Sequence, residues 1–68
     1  MWFMVVLQVW KNWDSEYSDI MSVPVYDVDK FRAMRIAIDT ANQRGYGATR
    51  MVEIWQLTGS EPKKVLSD

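Results

Sequence analysis

The chain has 68 residues, a net charge of −1 and 49% hydrophobic residues, with neither cysteine nor histidine. This composition excludes disulfides, thiolate metal sites and cysteine nucleophiles, together with the usual zinc ligand and proton shuttle. A chain this short buries only about 60% of its unfolded surface, so association is the reinforcement still open to it.

The first ten residues, MWFMVVLQVW, contain a single polar residue, Gln8. The run is too short to span a bilayer, which takes about 20 residues. It lacks a basic n-region and a small-residue cleavage site, so no signal peptide is expected. Val5, Val6 and Val9 favour a strand. At period two, Phe3, Val5, Leu7 and Val9 form one row, extended by Trp13, and are assigned to the core. Trp2, Met4, Val6 and Trp10 form the other, interrupted by Gln8. Both faces of this strand are therefore apolar.

Residues 11–18, KNWDSEYS, are polar and rich in turn formers, and read as a hairpin loop. A second strand follows over 19–27, with Met21, Val23 and Val25 in one row and Ile20, Ser22, Pro24 and Tyr26 in the other. Pro24 has no N–H for a ladder and belongs on an edge.

The segment VDKFRAMRIAIDTANQRG reads as a helix. Asp27 is the expected N-cap, and Phe31, Met34, Ala37, Ile38 and Ala41 share the expected core face. Gly45 suits the left-handed turn after the last residues. A third strand is expected over 48–58. Its rows are ambiguous: Val52 and Ile54 on one, Met51, Trp55 and Leu57 with Glu53 on the other. KVLSD (64–68) adds a short fourth strand.

These elements define a small single-domain α+β fold over residues 1–68. A small antiparallel sheet, β-β-α-β with a short fourth strand, carries one helix packed on one face. A right-handed crossover gives the order 2-1-3-4. One helix covers one face, so the other presents Trp2, Met4, Val6 and Trp10 with one row of the third strand. Apolar patches of that extent are uncommon on monomers. The opposing expectation is that Val65 and Leu66 fold back over the patch.

Four further constellations bear on function. Trp13, Asp14, Glu16 and Tyr17 in the first loop interleave acids with aromatics, a pattern suited to a basic protein surface. Asp14, Glu16 and Asp19 lack the full spacing of a calcium loop. Arg32 and Ile36 on the helix exterior are candidates for a second partner contact. Charge is segregated: residues 12–29 hold Asp14, Glu16, Asp19, Asp27 and Asp29 without Lys or Arg, whereas 30–50 hold Lys30, Arg32, Arg35, Arg44 and Arg50 against Asp39. Arg32, Arg35, Arg44, Tyr46 and Arg50 are accordingly the residues of an alternative nucleic-acid site. RGYGATR (44–50) ends a helix instead of opening one and does not match a phosphate loop. For acid–base catalysis the candidates are Glu53 or an aspartate, and a Glu53 buried in the fold would have a raised pKa; no nucleophile–base pair accompanies them.

The sequence is thus read as a non-enzymatic protein-interaction module, cytoplasmic, without cofactor, metal or membrane contact. It is expected to form a homodimer through Trp2, Met4, Val6, Trp10 and Trp55 and to bind another macromolecule, a protein, with nucleic acid as the alternative. In size and plan it resembles small accessory proteins of phages and mobile elements, including inhibitors of host defence machinery.

Overall fold

The first strand, β1 (Trp2–Trp10), alternates as its residues dictate: Phe3, Val5, Leu7 and Val9 are buried, while Met4, Val6, Gln8 and Trp10 are half-buried. In the computed structural model, which describes residues 1–67, it is followed by β2 (Asp19–Tyr26), α1 (Lys30–Gln43), β3 (Ala48–Thr58) and β4 (Glu61–Ser67). The four strands make one antiparallel sheet in the order β2-β1-β3-β4. This is a small α+β fold with α1 packed on β1, β2 and β3. Pro24 falls on the edge strand β2, where its missing N–H breaks no ladder.

β3 carries the feature that blurred its two rows. Val6 pairs with Glu53 and Leu7 with Met51, so Val52 is an extra residue, a β-bulge. A bulge reverses the phase of a strand at one point. Met51 and Ile54 consequently lie on the helix side, beside Leu7 and Val5, and neither a strict odd nor a strict even row describes the strand. β4 has its own bulge: Ile54 pairs with Leu66 and Trp55 with Lys64, leaving Val65 over. The fourth strand is longer than expected because Glu61, Pro62 and Lys63 join it. Asp68, the last residue of the expected strand, lies outside the described residues.

α1 sits on the sheet through alanines. Ala33, Ala37 and Ala41 are fully buried, while Met34 and Ile38 pack at the flank and Phe31 is 52% exposed. Of the expected face, Ala37 and Ala41 are buried and Met34 and Ile38 flank the core; Phe31 alone turns outward, and Ala33 takes the place expected for it. The three alanines recur every fourth residue on one stripe, and their small size lets the helix backbone approach the large side chains of the sheet. The cap also shifts. Asp29 is the N-cap, and its carboxylate accepts from the Phe31 N–H at 2.9 Å. Asp27 instead accepts from the Val28 and Asp29 N–H groups and lies 3.7 Å from Arg32.

At its other end the helix stops at Gly45, which adopts φ +96°, a conformation that costs glycine little. Two residues on, the Gly47 N–H donates to the Lys11 carbonyl at 2.9 Å. A Cβ at Gly47 would stand 2.9 Å from that same oxygen. The close approach ties the turn after α1 to the end of β1.

Candidate functional site

The strand registers fix which residues share the face turned away from α1. Residues paired across antiparallel strands point to the same side. At one end of this face lie Tyr26, Trp2, Leu57 and Pro62, one from each strand. The next row is Pro24, Met4, Trp55 and Lys64, followed by Ser22, Val6, Glu53 and Ser67. Then come Ile20, Gln8 and Arg50, and finally Trp10 opposite Ala48. The face is thus apolar at the Trp2 end and more polar toward Gln8 and Arg50.

All five residues expected at the self-association surface lie on this one face. Trp2 is 50% exposed, and Met4, Val6, Trp10 and Trp55 are half-buried by their neighbours in the pleat. The Trp2 and Tyr26 rings meet edge to face with centroids 5.3 Å apart. Trp10 stacks on Trp13 from the following loop at 6.4 Å. Trp13, expected to extend the core row, is instead 78% exposed; β1 ends at Trp10, and the turn carries the next indole to the outer side. Val65 and Leu66 do not cover the face. They pack against the core on the helix side, where Lys30 Nζ donates to the Val65 carbonyl at 3.3 Å.

Polar groups on the face are concentrated on β3 and β4. Glu53 lies 3.5 Å from Lys64, and the Lys64 ammonium stands 5.3 Å from the centre of the Trp55 ring. The indole hydrogen bond from Trp55 holds the Glu53 carboxyl below the ordinary glutamate range, and the Lys64 charge acts in the same direction. This corrects the expectation of a raised pKa: Glu53 is not sealed in an apolar pocket but lies between a donor and a cation. A carboxylate held deprotonated in this way is a poor proton donor near neutral pH.

The remaining expected site residues are spread around the molecule. Asp14, Glu16 and the 85% exposed Tyr17 project from the loop before β2, where Asn12 and Ser15 close a turn through their side chains. Among the described residues, Asp14, Glu16 and Asp19 do not converge into a metal-holding group. Arg32 and Ile36 lie on the helix exterior beside Arg35 and Asp39. Tyr46 is half-buried against the core, with Lys11 Nζ 5.0 Å from its ring centre. Arg50 occupies the open face, opposite in the sheet to the side that carries Arg32 and Arg35. The five nucleic-acid candidates therefore do not make one surface.

Sequence reasoning missed Tyr26, Leu57 and Lys64 as members of the face. Their rows were visible, but only the pairing register shows which rows lie side by side. Among the described residues, no helix is long and apolar enough to cross a membrane. Comparison with family models, curated proteins and solved structures yields no match to this chain.

Proposed function

We propose that this protein is a non-enzymatic, cytoplasmic interaction module whose working surface is the open face of its sheet. The observation that carries this reading is the contiguous group Trp2, Tyr26, Leu57, Met4, Trp55 and Val6 on the side that α1 does not cover. Exposed apolar patches rimmed by polar residues mark contact sites, and large aromatics with methionine are the residues that anchor protein interfaces. The absence of cysteine accords with a reducing compartment.

The test is recovery of cross-linked complexes from the native cell with three forms of the chain. Wild type and Phe31→Glu, altered on the exposed helix side, are expected to yield the same protein adducts. Met4→Glu is expected to lose them, because a charge at the centre of the patch must be desolvated on contact. Adducts that survive Met4→Glu unchanged would contradict the proposal.

A further inference from the structure

The edges, the area and the row pattern of the sheet bear on what covers its open face. From the registers, we infer that the occupant is a second copy of this chain, stacked face to face about a two-fold axis that runs along the strands. In that arrangement β1 of one copy lies over β3 of the other. The inference rests on the reading of the open face as a protein contact and names the partner.

Two observations direct association to the face and away from the edges. Both edge strands carry proline, Pro24 on β2 and Pro62 on β4. Proline interrupts the row of donors that edge-to-edge pairing needs, and Lys63 and Lys64 add charge beside Pro62.

Area comes next. Strands about 4.8 Å apart rising about 3.3 Å per residue give a four-stranded face on the order of 500 Å² in projection. Two copies that cover the whole of it bury on the order of 1,000 Å², and more when side-chain relief is counted, which reaches the range of specific interfaces. An arrangement that overlaps only half of the face falls short of that range.

The pattern of residues then selects the axis. With the two-fold along the strands, each row meets the same row of the second copy. Trp2 lies over Leu57, Tyr26 over Pro62, and Met4 over Trp55, so the apolar end packs on the apolar end. Gln8, whose amide nitrogen donates to Ser18 Oγ at 2.9 Å, lies over Arg50, polar on polar. Among the described residues, the charged groups of the face, Glu53, Arg50 and Lys64, all lie on β3 and β4. This axis sets Glu53 over Val6, Lys64 over Pro24 and Arg50 over Gln8, so no charged group of one copy meets a charged group of the other. Glu53 enters the contact with Lys64 already beside it. A two-fold across the strands does worse. Covering the whole face, it lays Glu53 on the Glu53 of the second copy, like charge on like; shifted to match the apolar rows, it loses about half the area.

Sedimentation equilibrium and single-cysteine cross-linking of the purified full chain test this. Wild type is expected at twice the 8.0 kDa chain mass. Met4→Glu and Trp2→Lys, checked for retained helix and sheet by circular dichroism, are expected to dissociate at least about tenfold more readily. The chain has no cysteine, so introduced thiols report without background. Tyr26→Cys mixed with Pro62→Cys is expected to form a mixed disulfide under oxidised glutathione in preference to either self-disulfide. Predominant self-linking of Lys64→Cys would overturn the axis. A wild-type monomer at high concentration, or a Met4→Glu dimer as tight as wild type, would overturn the second copy as occupant. If wild type is monomeric while Met4→Glu still loses its cellular adducts, only the choice of partner falls; if those adducts are also unaffected, the contact reading falls with it.

Discussion

Met4 and Trp55 stand directly opposite one another on the two central strands, on the side of the sheet away from α1. Both are only half-buried, although they lie near the middle of the face, with Lys64 5.3 Å from the Trp55 ring centre. In an antiparallel sheet such a pair normally packs under a second layer when both members are large and apolar. Here the chain supplies one layer, α1, and uses it on the opposite side.

Association should therefore appear in stability. Anything that binds the folded form alone raises its apparent stability with concentration. We expect the thermal midpoint of wild type to rise with protein concentration and that of Met4→Glu to stay constant. Scanning calorimetry over a hundredfold dilution series checks this.

The alanine stripe of α1 leaves no room for growth. Ala37 is fully buried between helix and sheet. Ala37→Leu should cost about 1–3 kcal/mol by overpacking, whereas Phe31→Ala, at a half-exposed position, should cost well under that. Urea unfolding of both variants measures the difference.

Asp29 caps the helix through the Phe31 N–H. Asp29→Ala should lose about 1 kcal/mol, while Asp29→Asn, which keeps the acceptor oxygen, should retain most of it. Denaturant midpoints at neutral pH compare the two.

The lowered pKa of Glu53 has a defined sign. Its deprotonated form is favoured in the folded protein by the Trp55 indole and by Lys64. The associated stability is present above the ordinary glutamate pKa and is lost as pH falls through the lower folded value. Trp55→Phe, which removes the indole donor, should move the Glu53 pKa back up. A carboxyl-carbon NMR titration of wild type and variant reads the shift directly.

The parts of this fold that were legible in the sequence are those with a single uninterrupted period. The alternation Phe3, Val5, Leu7, Val9 placed β1 and its two rows, and the turn-rich loop with Pro24 placed β2 at an edge. The right-handed crossover from β2 through α1 to β3 then gave the strand order. What was not legible has physical causes. The extra residue Val52 shifts β3 out of phase, and no two-residue pattern can express that. The helix core consists of alanines, so the larger Phe31 attracted the assignment that Ala33 should have had. Asp27 and Asp29 are both competent caps, and only the backbone turn decides between them. For the candidate face, the β1 row was readable, but its neighbours Tyr26, Leu57 and Lys64 required the cross-strand register.

The most direct measurement is the response of the indole N–H resonances to dilution. The open face carries Trp2, Trp10 and Trp55, and Trp13 stacks on Trp10 at its margin. If a second copy covers this face, the Trp2 and Trp55 indole signals shift on dilution, while the amides of Ala33 and Ala37 beneath the helix stay fixed. Indole signals that hold their positions from micromolar to millimolar protein, with the rotational correlation time of a monomer throughout, would contradict the account.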